Sequence, residues 1–241
     1  MAGRLCMFPW IVLLAASIAF LAPVSAQVAP MEDAGVGFYA TAYWDSTYVS
    51  QGREYLSDGT LLAGEAGTEW GGFCAYIWYA AGDTEDLEEL DICLSYTHEF
   101  GGYEFTLDYT RLEYLSDDAG DNWFSGGLAY SSFPWLIPKI LVLHSTEADG
   151  QYAAAMLSSD LALFNERLTV SPYVLEGFDF GFATAEYDGP NHLEIGLEAA
   201  LTLTEMLEFG AHINHLWPHR DEKNEGLEQV TWGGANLTVS F

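Results

Sequence analysis

The chain has 241 residues, 50% of them hydrophobic and 15% aromatic, with 36 acidic and seven basic residues and a formal charge of −29. That length suits one large domain rather than a small disulfide scaffold, and an excess of acids of this size would repel a phosphate backbone, which excludes nucleic acid as a partner. A surface in salty surroundings tolerates such charge through screening, so habitat and a functional preference for cations both remain open as its origin.

Met1 to Ala26 carries one basic residue, Arg4, then the apolar run Phe8 to Ala22, then Val24-Ser25-Ala26 with small residues where a signal peptidase reads them. This predicts a cleaved secretory signal peptide over 1–26 and one domain over 27–241. The run is short for a membrane anchor. Cys6 precedes it, which does not indicate a lipid-modified cysteine. After residue 26 only Arg53, Arg111, Lys139, Arg167, Arg220 and Lys223 oppose all 36 acids, so these six bases leave a charge of −30. Cys74 and Cys93 remain, which suits an exported protein with at most one disulfide, and no second apolar stretch is long enough for a membrane helix.

The rest of the chain lacks a helical period. Segments of about ten residues alternate apolar and polar positions between Gly, Asp, Asn or Pro, the pattern of barrel strands. It predicts strands near 36–47, 60–69, 73–81, 88–99, 103–113, 123–132, 137–146, 151–162, 168–177, 192–202, 207–217 and 229–241. The expected fold is all-β: a transmembrane antiparallel up-and-down barrel of about twelve strands, an even number as bacterial single-chain barrels have. Tyr103, Phe105, Leu107 and Tyr109 alternate with Glu104, Thr106, Asp108 and Thr110, and Leu193 to Ala199 repeats the pattern against His192, Glu194, Gly196 and Glu198. A soluble β-sandwich has the same period with its apolar face inside, so period alone leaves both folds open.

The connections favour the barrel. Longer ones are predicted at 48–59, 82–87, 114–122, 147–150, 178–191 and 218–228. Shorter ones centre on Gly71-Gly72, Gly101-Gly102, Pro134, Asn165-Glu166 and Thr204-Glu205. Membrane barrels alternate periplasmic turns with longer outer loops in this way. Trp70, Phe100, Tyr103, Phe133, Trp135, Phe164 and Phe241 flank the short turns and would form an aromatic girdle at the periplasmic interface. The ending Leu237-Thr-Val-Ser-Phe241 resembles the closing strand of bacterial outer-membrane proteins, which implies recognition by their barrel assembly machinery through Phe241.

If the apolar faces meet outer-membrane lipid, Glu65, Glu69, Asp91, Glu104, Asp108, Glu194, Glu198 and Glu208 line the lumen, because charge facing lipid near midplane is costly. Arg111 has lipid-facing parity near the outer rim, where its head reaches water; Lys139 lies in a segment apolar on both faces, so its direction stays open. A hydrated ring of carboxylates prefers cations. A loop centred between Asp83 and Thr84 would place Cys74 opposite Cys93 and Tyr76 opposite Asp91, with Phe73, Ala75 and Ile77 facing Leu94, Ile92 and Leu90. A cross-strand disulfide and two buried free thiols both fit that register.

The stretch Tyr39-Ala-Thr-Ala-Tyr-Trp-Asp-Ser-Thr-Tyr48-Val49-Ser50-Gln51-Gly52-Arg53, followed by Gly59 to Trp70 and Phe73-Cys-Ala-Tyr-Ile-Trp-Tyr79, resembles the opening of the proteobacterial TorF-type porins. That resemblance covers about 36–110 and implies an outer-membrane channel, with Tyr48, Val49, Gly52 and Arg53 shaping a loop at the outer mouth. Its arginine usually precedes the glycine, whereas here Arg53 follows it. A strand end with a glycine turn explains the same residues.

Nothing points to catalysis. His144 and Ser145 are adjacent and face opposite sides of a strand, so they form no nucleophile–base pair. His98, His192, His212 and His215 lack a partner at useful spacing. The acidic runs 117–122 and 221–225 lack the ligand spacing of a calcium loop, and the acceptor pattern at Asn236 falls within a strand. The expected protein is therefore an outer-membrane porin that passes small cationic or neutral solutes, with no cofactor and no metal. The alternative is a non-conducting structural or surface-binding barrel whose bore is filled by Tyr76, Trp78 and Trp232.

Overall fold

The computed structural model describes residues 35–56, 58–84, 86–117, 119–133, 135–219 and 228–241. The expected signal peptide, the boundary at residue 27 and the acidic run 221–225 lie outside the described residues.

Twelve strands form one antiparallel sheet: β1 (Gly37–Asp45), β2 (Leu61–Trp70), β3 (Phe73–Gly82), β4 (Glu88–Phe100), β5 (Tyr103–Tyr114), β6 (Ala119–Tyr130), β7 (Ile137–Ser145), β8 (Gly150–Ser158), β9 (Leu168–Phe180), β10 (Asp188–Thr202), β11 (Leu207–Pro218) and β12 (Val230–Ser240). The short strand Leu161–Leu163 continues β8 beyond a break and pairs with the start of β9. Each strand bonds to its sequence neighbours, and β12 pairs with β1 from Tyr39↔Ser240 to Asp45↔Gly234. The sheet closes into an up-and-down barrel with no free edge.

Ten of the predicted strand starts fall within one residue of those observed, but β6 begins at Ala119 rather than 123 and β10 at Asp188 rather than 192, while β9 runs on to Phe180. Gly120, Asp121 and Gly189 are residue types that favour turns, yet their backbones continue the ladder opposite Glu113, Leu112 and Asp179. Ladder bonds use the main chain, so a turn-type side chain does not end a strand whose partner continues. The connections 115–118 and 181–187 are consequently shorter than predicted, and the opposite-end turn 131–136 falls between them in length. The alternation of loop lengths is weaker than the spacing predicts.

The outward face carries the apolar side chains. Ile77, Ile92, Leu94, Phe105, Leu107, Phe124, Val142, Ile195, Leu197 and Ile213 are all exposed. A sandwich would bury them between two sheets; an outward apolar band around a closed barrel is the surface that hydrocarbon covers. At the end holding both strand termini, called the turn end below, Trp70, Phe100, Tyr103, Phe133, Trp135, Phe164 and Phe241 are exposed. Phe38 stacks on Phe241 at 6.3 Å and Phe73 packs on Tyr96 at 4.6 Å, extending that aromatic rim. The opposite end is the loop end.

Inside, large rings lie across glycines of the neighbouring strand. Tyr173 pairs with Gly196, where a β-carbon would collide with the Tyr173 ring. Tyr39 covers Gly67 in the same way. Absence of a side chain on one strand gives an aromatic room on the next, which lets wide groups fit within a narrow barrel.

Candidate functional site: the barrel interior

All eight acids expected in the lumen have inward parity. Glu65, Asp91, Glu104, Glu194 and Glu198 are buried, while Glu69, Asp108 and Glu208 are partly exposed. They do not form one ring. Glu69, Glu104 and Glu208 lie next to the turn end, Glu65, Asp108 and Glu198 deeper, and Asp91 and Glu194 toward the loop end. Lys139, whose direction the sequence leaves open, points inward and is buried within electrostatic reach of Asp160, Glu198 and Glu104. Arg111 instead bonds outward-facing Glu113 at 2.8 Å, as its parity predicts.

The turn-end half is polar and reached by solvent. Ser95, Thr97, Thr106, Asp108 and Ser125 are partly exposed on one wall beside Glu69. Ser125 donates to Asp108 at 3.1 Å, Tyr43 donates to Glu65 at 3.4 Å, and Thr41 and Thr238 share a hydrogen bond at 3.0 Å across the closing seam. Tyr173 donates to Glu194, beside which His192 stands at 3.8 Å.

The loop-end half is closed by side chains. The connection after β1 turns inward as a small hairpin, Val49–Ser50 against Arg53–Glu54. Its two central residues, Gln51 and Gly52, have φ of 44° and 87°, the pair of positive angles of a primed two-residue turn, which explains the glycine. Tyr48, Val49 and Leu56 are buried in the mouth. Thr47 donates to the Leu56 carbonyl at 2.5 Å, Tyr48 donates to Glu89, and Arg53 reaches Thr184 on the far connection 181–187 at 3.0 Å. Asp179 accepts from the backbone N–H groups of Phe182, Ala183 and Thr184, which turns that connection inward, and Phe182 packs on Trp123 at 5.7 Å. Trp78 and Trp232, expected as filling, are buried in this half at 0% and 4% exposed, whereas Tyr76, 7% exposed, lies nearer the turn end opposite Gly67.

The register predicted for the β3–β4 hairpin is corrected. Cys74 faces Ser95, Tyr76 faces Cys93, and Trp78 faces Asp91. Phe73, Ala75 and Ile77 oppose Tyr96, Leu94 and Ile92 rather than Leu94, Ile92 and Leu90. The connection is centred one position later than its sequence suggests, with Gly82 N–H bonded to the Leu87 carbonyl at 3.0 Å and Asp83 N–H to the Thr60 carbonyl at 3.0 Å. A shift by two leaves every side chain on its predicted face but separates the cysteines, which are free thiols rather than a disulfide. Cys93 donates to Thr110 at 3.4 Å instead.

His144 and Ser145 point to opposite faces, with His144 Nδ1 3.1 Å from the Gly150 carbonyl and Ser145 donating to buried Asp121. Asp121 also accepts from Trp123 Nε1 at 2.7 Å and the Glu147 N–H at 2.9 Å, a structural anchor for the β6–β7 mouth. Glu89 and Asp45, to which the sequence assigned no role, also face inward, as does His212, for which its spacing gave no partner. Glu89 shares the parity of Asp91 and His212 that of Glu208, so the signal was present in the sequence. His212 stands 3.1 Å from Asp45 across Gly234.

No family model matches the chain, and no curated protein does. Among solved structures it is similar to a KdgM porin, with a TM-score of 0.58 and 9% identity over 84% of this chain and 99% of that one. It is similar to a NanC porin with a TM-score of 0.56 and 9% identity over 85% and 98%, and to a KdgM porin in complex with disordered oligogalacturonate with a TM-score of 0.55 and 9% identity over 85% and 99%. At this identity the likeness establishes the twelve-stranded porin-like barrel fold. The TorF resemblance rests on its motifs alone.

Proposed function

We propose that this chain is an outer-membrane channel for small cationic or neutral solutes, with the turn end in the periplasm and the apolar band in lipid. One observation carries the reading: the inward wall presents Glu65, Glu69, Glu104, Asp108, Glu198 and Glu208 on its turn-end half, against Lys139 as the only wall lysine or arginine turned inward among the described residues. Carboxylates lining a hydrated bore concentrate cations and exclude anions. Oligogalacturonate, the ligand in one neighbour's complex, is a polyanion and does not suit such a wall. A signal peptide over 1–26, assembly through terminal Phe241, and membership of the TorF-type porins belong to the same proposal.

A second reading has its own support. Burial of Leu56, Trp78 and Trp232 closes the loop-end half, which favours a non-conducting surface barrel. Planar-bilayer recording in a KCl gradient decides between them: conductance steps with a cation-selective reversal potential support the channel, and a silent protein supports the filled barrel.

A further inference from the structure

Glu89 and Asp91 stand two apart on β4 and both turn into the barrel, 2% and 0% exposed. The register sets Glu89 between Ala80 and Tyr114, and Asp91 between Trp78 and Leu112. Tyr48 of the inward hairpin donates to Glu89 Oε2 at 3.2 Å, and its ring lies 6.2 Å from Trp78 and 5.4 Å from Tyr55. Leu56 is fully buried beside them in the same core cluster. Asp91 is buried with no hydrogen-bond partner but the neighbouring Glu89 carboxyl, and the indole Nε1 of Trp78 on the adjacent strand is buried with none. Two buried carboxyl groups held against each other cannot both ionise unless a positive charge meets them, and an indole N–H left over beside them calls for an acceptor.

We propose that Glu89 and Asp91, walled by the rings of Tyr48 and Trp78, bind the ammonium group of a small amino alcohol whose oxygen accepts from Trp78 Nε1. Among the described residues no group of three or more His, Cys, Asp or Glu is arranged for a metal ion. Two carboxylates between aromatic faces suit an organic ammonium ion, which gains both ionic and cation–π attraction. The ligand enters only when the hairpin lifts, because Leu56 and Trp78 are sealed from solvent. The site deepens the cation reading proposed above, and it is tested by binding rather than by conduction so that the two fail separately.

The full-length protein in detergent micelles is titrated calorimetrically with 2-aminoethanol, and with uncharged 1,2-ethanediol in parallel. Saturable binding of 2-aminoethanol to one site is expected, weakened about tenfold by Asp91→Asn through loss of a charge-assisted bond and less by Tyr48→Phe, which retains both carboxylates. Glu205→Gln, in an exposed turn, leaves it unchanged. Each variant is first shown to be folded by its shifted migration on an unheated gel; should Asp91→Asn not fold, Glu89→Gln replaces it with the same expectation. Absence of binding, equal binding of 1,2-ethanediol, or undiminished affinity in the carboxylate variant would overturn the site. A protein that conducts cations yet binds no 2-aminoethanol retains the channel and loses this site, and one that binds but is silent does the reverse.

Discussion

Toward the loop end the barrel interior is packed with Tyr48, Leu56, Trp78, Trp123 and Trp232, whereas toward the turn end Glu69, Asp108 and Glu208 stay partly exposed among serines and threonines. Both halves are built from the same strands with the same inward parity. What separates them is the chain that enters from outside the sheet: the hairpin 49–54 and the connection 181–187 turn into the loop end, joined by Arg53 and Thr184 at 3.0 Å. At the other end the two-residue turns have no chain to spare for the bore, and the longer connections 131–136 and 159–167 carry largely exposed side chains. The contrast assigns constriction to one half and selectivity to the other, and experiments can attack each half separately.

The largest effect is expected from removing the closure. Replacing residues 47–56 by a short Gly-Ser link should raise single-channel conductance severalfold, since Tyr48, Val49 and Leu56 leave the mouth together; unchanged conductance would show that the constriction lies elsewhere. Neutralising the other half, with Glu65→Gln, Glu69→Gln, Glu104→Gln and Asp108→Asn combined, should leave conductance near its original size but lower the cation-to-anion permeability ratio a few fold, read as a reversal-potential shift in a KCl gradient. If selectivity persists, the acids of the turn end are not what the ions meet.

Lys139 tests how far the acidic half depends on its one wall cation. Lys139→Met leaves Glu104, Glu198 and Asp160 without that partner, and removing one member of a buried charge cluster costs about 3–5 kcal/mol. The folded band on an unheated gel should then be lost at lower temperature than in the parent. Gly196→Val should cost less, about 1–3 kcal/mol for overpacking, because the Tyr173 ring must leave the glycine and give up its bond to Glu194; circular dichroism melting measures it. The smallest effect belongs to the thiols. Cys74→Ser with Cys93→Ser should leave melting nearly unchanged, and mass spectrometry of denatured, unreduced protein should find both thiols alkylated, since no bond joins them.

Legibility in the sequence differed by region. The hairpin β4–β5 was readable almost to the residue, because Gly101-Gly102 sits between two strongly alternating runs and a two-residue turn leaves one register available. The β3–β4 hairpin was not: Gly82-Asp-Thr-Glu-Asp-Leu87 allows several centres, and the bond from Gly82 to Leu87 chose one that the local sequence does not favour. The parity rule gives all eight acids the inward face that the strands show, and gives it to Glu89 as well. It left Lys139 open because Leu136 to Leu143 is apolar at both parities.

The sequence by itself determined the all-β class, the strand count, the face of nearly every side chain and the aromatic rim, because a period of two is written residue by residue along each strand. Only the tertiary structure decided that the apolar faces look outward around a closed barrel, where the cysteines stand, and that the first connection folds into the mouth. These depend on pairings between strands far apart in the chain, such as β12 with β1, and on how a loop fits the space that closure creates. Local pattern carries neither.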